Sequence, residues 1–120
     1  MATDFHEELK KSVDKMVHEV YGLSKQFPRD EIHGAISQLR RAALSVALNY
    51  VEGFARGRRA VNRNFVETAY GSLQETKYIL KFATEEGWLR PPEAQPVIDN
   101  VEKIGGMLWG VIKRLKTSPS

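Results

Sequence analysis

The stretch from residue 32 to residue 56 carries two separate apolar stripes when it is wound as an α-helix. The first stripe recurs at alternating spacings of four and three, through Ile32, Ile36, Leu39, Ala43, Val46 and Tyr50. The second lies about 130° round the helix and consists of Leu44, Leu48, Val51 and Ala55. An outer helix of a monomeric bundle needs only one apolar stripe. The second stripe therefore predicts burial on two sides, either deep in the chain's own core or against another subunit.

The rest of this helix is polar and mixes groups that can bond to one another. It carries Gln38, Arg41, Ser45, Asn49, Glu52 and Arg56. We interpret Gln38, Asn49 and Glu52 as a structural polar network or, together with Leu44, Leu48 and Val51, as an oligomer interface. Glu52 lacks a partner acid or base on its face, so pairing with an arginine is favoured over a general-base role. Candidate partners, within the bundle or across a subunit boundary, are Arg41, Arg56 and a neighbour's Arg40.

Periodicity predicts four amphipathic helices at about residues 5–26, 30–57, 62–86 and 92–116, with a loose tail at 117–120. Asp4 with Glu7 resembles a capping box, and Asp30 and Asn62 are predicted N-caps. Gly87 is predicted to end the third helix, with Trp88 and Leu89 folding back over the bundle. Glycines inside the fourth helix predict that another helix approaches closely there; they are Gly105, Gly106 and Gly110.

These segments predict an all-α fold: an antiparallel, up-down-up-down four-helix bundle. Their connections are short and no segment shows the alternation of a strand. At 120 residues the chain is expected to form a single domain. It has no cysteine, which excludes disulfides and thiolate metal sites and favours a cytoplasmic location. We expect neither a signal peptide nor a membrane-spanning segment.

Positive charge is concentrated in the middle of the chain, although the formal net charge is only +3. Between residues 40 and 63 there are six arginines and one acid, Glu52, a balance of 6 − 1 = +5. The arginines are Arg40, Arg41, Arg56, Arg58, Arg59 and Arg63. Guanidinium groups suit bidentate contact with phosphate. The set predicts nucleic-acid binding; the alternative is a solvated face with charges at the helix ends.

No pattern of catalytic or cofactor-binding residues is present, and we expect no enzyme activity. The three histidines, His6, His18 and His33, are scattered, and no Glu-x-x-His motif of a di-iron bundle occurs. Surface positions are therefore expected for them, without a metal site. There is no nucleophile elbow and no phosphate-binding glycine loop.

Several short motifs resemble a known family. They are Phe27-Pro28, the block from Gln38 to Ala43, Asn49-Tyr50-Val51-Glu52-Gly53, Phe65, and Gly71-Ser72-Leu73-Gln74-Glu75. The chain resembles the four-helix-bundle proteins encoded in intervening sequences of bacterial 23S ribosomal RNA genes. The accessory variability determinant of diversity-generating retroelements is similar to these proteins. The resemblance implies a ring-shaped homo-oligomer, a pentamer, and a role in binding RNA or DNA; a reverse transcriptase or another protein is a further partner to consider.

Two interpretations of function therefore stand. The first is a non-enzymatic oligomeric scaffold that binds RNA or DNA through its arginine-rich surface. The second is a protein–protein interaction or assembly module with no nucleic-acid role, in which the second apolar stripe is the contact surface.

Overall fold

Four long helices account for almost all of residues 2–117, which are the residues that the computed structural model describes. They are α1, Ala2–Ser24; α2, Ala35–Ala55; α3, Arg59–Glu85; and α4, Pro91–Thr117. A 3-10 helix, Arg29–Glu31, lies between α1 and α2. Each helix packs against its neighbour in the sequence and α1 also packs against α4, as in an antiparallel bundle. The bundle measures 47 × 26 × 18 Å.

The core contains the residues that the helical periodicity places on one face of each segment. Leu9, Met16, Leu39, Leu73, Leu80, Ile104 and Leu108 are among its fully buried side chains. At the end opposite the chain's start, Leu89 is buried and Trp88 packs against Phe27 and Phe82. Gly87 has a φ of +80°, the left-handed conformation that favours glycine after a helix. The predicted fold-back after α3 is therefore confirmed.

Two predicted helix starts were wrong. Asp30 does not cap α2: a 3-10 helix and a turn intervene, and α2 begins at Ala35 after Gly34. Glu31 does the capping instead, because its Oε1 accepts a hydrogen bond from the Ala35 amide at 3.0 Å. α3 begins three residues before Asn62, with Arg58 at the N-cap position and no side chain capping it.

Smaller differences concern the chain ends and the glycines. α1 begins at Ala2, which places Asp4 in its first turn rather than at the cap. α4 includes Thr117, and the rest of the predicted tail, 118–120, lies outside the described residues. Of the three α4 glycines predicted to face another helix, Gly105 alone does so among the described residues, since a Cβ there would lie 3.5 Å from Leu73 Cδ2. A Cβ at Gly106 or Gly110 would meet nothing within 4 Å among the described residues.

Candidate nucleic-acid interface

The second apolar stripe of α2 lies on the outside of the bundle. Leu44, Leu48 and Val51 are 39%, 60% and 57% exposed, whereas Leu39, Val46 and Tyr50 of the first stripe are buried. Ala55 is exposed as well. Of the two explanations for a second stripe, burial in the chain's own core is thus excluded by the fold. We call the exposed face formed by Leu44, Leu48 and Val51 the α2 stripe.

The three residues predicted to form a polar network, Gln38, Asn49 and Glu52, do not bond to one another among the described residues; Asn49 alone joins a network, which links α2 to α3. The Asn49 amide donates to the backbone oxygen and to Oγ of Ser45, both at 2.9 Å. Ser45 Oγ in turn lies 2.9 Å from Ser72 Oγ. Gln38 does not take part: it is exposed and lines a shallow groove with Tyr78 and Phe82 of α3.

Glu52 pairs with Arg56 one turn further along α2, so one of the predicted partners is correct. Both side chains are about half exposed. The pair is therefore a solvated contact within one helix, and its net contribution to stability should be small.

Four of the six arginines gather around the turn between α2 and α3. Arg56 directly follows α2, and Arg58 directly precedes α3. Arg59 and Arg63 lie in the first turns of α3. An open cavity of about 490 Å³ is lined by Gly57, Arg58, Arg59 and Ala60. The first turn of α3 holds no acidic residue and no side chain caps it. We call the group Arg56, Arg58, Arg59 and Arg63 the basic end.

The guanidinium groups of the basic end are held to different degrees. Arg58 is exposed, and Arg56 lies over the Phe65 ring at 5.4 Å in addition to its contact with Glu52. Arg59 donates from Nη2 to the backbone oxygen of Arg114 at 3.1 Å. Nε of Arg59 and Nε of Arg63 are buried without a hydrogen-bond partner among the described residues.

Arg40 and Arg41 lie elsewhere. Arg40 is directed to α1, where its Nε donates to Ser24 Oγ at 2.8 Å and its guanidinium lies 5.0 Å from the Tyr21 ring centre. Arg41 is exposed beside the α2 stripe. Arg41 lies fifteen positions before Arg56, about 22 Å away along the helix axis. The six arginines that are close in sequence therefore do not form one surface.

Cations at the end of α4 extend the basic end and were not included in the predicted set. Lys113, Arg114 and Lys116 are exposed, and Arg114 contacts Arg59 through its carbonyl. One of these cations is itself paired, since Glu67 lies 3.8 Å from Lys116. The antiparallel order of the helices is the signal that could have found these cations, because it brings the end of α4 beside the turn between α2 and α3.

His6 departs from the expected surface position, whereas His18 and His33 are exposed. Its ring packs edge-on against Phe5 and Phe54, and Nδ1 lies 3.1 Å from the Tyr50 hydroxyl. Burial, and then the charge of Arg114, lower the pKa of His6 below its ordinary value. Sequence spacing gave no sign of this contact because Tyr50 lies on another helix.

Two further classes of site find no support in the described part of the chain. No group of three or more histidine, aspartate or glutamate side chains there could hold a metal ion. None of the helices in residues 2–117 combines the length and apolar character needed to span a bilayer.

Comparisons with known proteins agree with this architecture. A family model described as "23S rRNA-intervening sequence protein" matches residues 7–110. A crystal structure of a protein of unknown function from the S23 ribosomal protein family of Bacteroides thetaiotaomicron VPI-5482 superposes with a TM-score of 0.80. Its sequence is 20% identical, and the alignment covers 88% of this chain and 98% of that one. At this identity the likeness shows the fold alone. No match was found among curated proteins.

Proposed function

Because this chain belongs to the family of 23S rRNA-intervening sequence proteins, we propose that it is a non-enzymatic oligomeric scaffold that binds the phosphate backbone of RNA or DNA. The binding surface is the basic end. The observation that carries this proposal is the grouping of four arginines around one turn, beside an uncapped helix start and the cationic end of α4. Backbone amides at a helix start and guanidinium groups both favour an anionic ligand.

The electrostatics of the basic end favour phosphate over a carboxylate of the same chain. Glu52 contacts only one of the four arginines, and the Nε groups of Arg59 and Arg63 have no acceptor among the described residues. A phosphate would instead pair first with the exposed guanidinium of Arg58, because the two Nε atoms are closed off from solvent. The described residues contain no zinc finger and no sheet of the kind that carries stacking aromatics in common RNA-binding modules. Binding should therefore depend on the backbone and the shape of the nucleic acid.

Assembly supports the same proposal. The α2 stripe leaves three large aliphatic side chains in water, which a neighbouring copy would cover. We infer a ring of five copies, the number that the family resemblance implies, in the cytoplasm. A ring would repeat the basic end around its axis and raise the local positive potential.

Removing the basic end's charge tests the binding site. The test variant replaces Arg56, Arg58, Arg59 and Arg63 by glutamine. The control variant replaces four exposed cations at the opposite end of the bundle, Lys25, Arg29, Lys81 and Arg90, so that both variants lose the same charge. Filter binding to a 20-nucleotide RNA and a 20-base-pair DNA duplex should weaken at least tenfold for the test variant only. On the duplex, its log–log salt slope should fall by about 0.9 for each phosphate that is no longer neutralised.

Equal weakening in both variants would assign the binding to net charge rather than to the basic end. Wild-type protein that binds neither ligand in low salt would contradict the proposal outright.

The α2 stripe also favours the second candidate, an assembly module that contacts other proteins, a reverse transcriptase among them, without nucleic acid. Absorbance distinguishes the two candidates cheaply. A scaffold for nucleic acid should copurify with it from a low-salt lysate, with a raised ratio of absorbance at 260 nm to that at 280 nm, and the basic-end variant should lose this excess. An assembly module should show the ratio of the protein alone in both cases.

A further inference from the structure

A groove between α3 and α4 is lined by an exposed indole and by two glycines, which have no side chains. Gly105 and Gly106 form part of its floor, and Tyr70, Gln74, Lys77, Glu102 and Trp109 line it. Its volume is about 320 Å³. A Cβ at Gly105 would contact the buried Leu73 at 3.5 Å, whereas a Cβ at Gly106 would meet nothing within 4 Å among the described residues. A side chain at Gly106 would therefore extend into space that the glycine leaves open.

Trp109 is held in place and only partly covered. Its ring packs against Tyr70 with the centroids 5.5 Å apart, and 46% of the residue is exposed. The exposed part of the indole is therefore accessible to a ligand. The contact with Tyr70 fixes the ring's orientation in advance, so stacking a ligand on it would cost little conformational entropy.

Cations and polar groups surround the groove asymmetrically. Lys116 Nζ lies 5.9 Å from the Trp109 ring centre, and Lys113 is exposed one turn beyond Trp109. On the other side, Lys77 and Glu102 form an ion pair at 3.0 Å. Gln74 Nε2 would lie 3.9 Å from a Cβ at Gly105, so its amide is at the groove floor. Hydrogen-bonding groups thus lie at one end of the groove, and positively charged lysines lie at the other.

We propose that this groove binds an unstacked base of single-stranded nucleic acid, stacked on Trp109 with its phosphates directed to Lys113 and Lys116. The inference rests on the proposed function and adds a preference for single strands. Trp109 is about 7.5 Å along the α4 axis from Arg114, whose carbonyl accepts the Arg59 hydrogen bond, so the groove lies near the basic end. Aromatic platforms combined with cationic tracks are the usual means of holding single strands without reading their sequence.

Fluorescence of Trp109 reports the stacking directly. The chain has two tryptophans, and Trp88→Phe leaves Trp109 as the sole indole. In that background, ten-nucleotide oligouridylate and oligothymidylate should quench the emission, and an abasic ten-residue strand with the same phosphates should not. A preference between the first two strands would separate RNA from DNA.

Two variants test the groove by different physical routes. Trp109→Ala should weaken binding of the single strands about 5- to 150-fold, the range expected when one base no longer stacks on an aromatic ring, and should leave binding of a ten-base-pair duplex unchanged. Gly106→Leu should weaken it to a similar extent by filling the groove. This variant should fold at least as well as the wild type, because Gly106 is exposed inside a helix. Trp109→Phe should retain part of the affinity.

The outcomes distinguish this inference from the proposed function. If both groove variants bind single strands like the wild type while the basic-end variant does not, the groove assignment is wrong and the proposed function stands. Quenching by the abasic strand as strong as by oligouridylate would also overturn stacking. If the wild type binds no nucleic acid, both are wrong.

Discussion

At the scale of single residues, Gly53 is a position where the backbone of α2 comes very near to α3. A Cβ there would lie 3.0 Å from Phe65 Cβ and 3.0 Å from Asn62 Oδ1. Helix propensity alone would make Gly53→Ala stabilising by about 1 kcal/mol. Overpacking should outweigh that gain, with a net loss of about 1 kcal/mol in the free energy of unfolding.

Gly71→Ala is the matched control for Gly53→Ala. Gly71 lies inside α3 and is exposed, and a methyl group added there would meet no described residue within 4 Å. This substitution should raise the free energy of unfolding by up to about 1 kcal/mol. Urea denaturation at one fixed protein concentration measures both. A gain in the free energy of unfolding for both variants would show that the close approach of α2 to α3 at Gly53 does not limit the helix packing.

The partial burial of His6 predicts a stability that depends on pH. Because the pKa of His6 is lowered in the folded chain, chiefly by burial and then by Arg114, the unfolded chain binds a proton more readily. Stability should therefore fall as the pH drops below about 6.5. It should level off once the folded imidazole is also protonated.

Comparing His6→Gln with His18→Gln isolates this effect. His18 lies on the same helix and is exposed. Melting temperatures at pH 7.5, 6.5 and 5.5 should fall less steeply for His6→Gln than for the wild type, and His18→Gln should follow the wild type. Parallel profiles for all three proteins would contradict a role for His6. From the sequence, His6 could not be told apart from His18, because its partners Tyr50 and Phe54 come from another helix.

At the scale of helices, periodicity predicts the existence and order of all four and most of their buried faces. Ile32, the first residue of the predicted inner stripe of α2, instead precedes that helix and is 51% exposed. Periodicity does not predict where the helices begin and end, because a few local hydrogen bonds determine this. Asp30 and Glu31 are adjacent acids, and only the turn at 32–34 determines which carboxylate reaches the first amide of α2. At α3, the helix begins at Arg59 without a capping side chain, so the good N-cap residue Asn62 lies inside it.

The candidate site was predictable only where neighbours in sequence are also neighbours in space. Arg56, Arg58 and Arg59 surround one turn, so their grouping follows from the chain itself. A charge count along the sequence places Arg40 on the same surface. In the bundle it faces Ser24 and Tyr21 of α1. Whether a side chain belongs to a given surface depends on how its helix is rotated and on which helices pack against it. A count of charges along the sequence carries neither kind of information.

At the scale of the whole molecule, the α2 stripe is a surface that the bundle itself does not cover. Leu48→Lys combined with Val51→Lys should prevent assembly without unfolding the protomer, since both side chains are more than half exposed there. Burying such side chains contributes about 1.5–3 kcal/mol each. Replacing two per copy with desolvated charges should raise the dissociation constant of each subunit interface by a factor of at least about 100.

Light scattering and sedimentation over a range of concentrations measure this prediction, and circular dichroism checks the fold. The wild type should exceed the 13.6 kDa of one chain, whereas the double variant should sediment as a single copy with unchanged helicity. Gln95→Lys adds charge at an exposed position of α4 away from the stripe and should assemble like the wild type.

A monomeric wild type at high concentration would mean that the α2 stripe serves another partner. The basic end would then act alone, and its affinity for nucleic acid would have to come from one copy's arginines, without the added field of neighbouring copies.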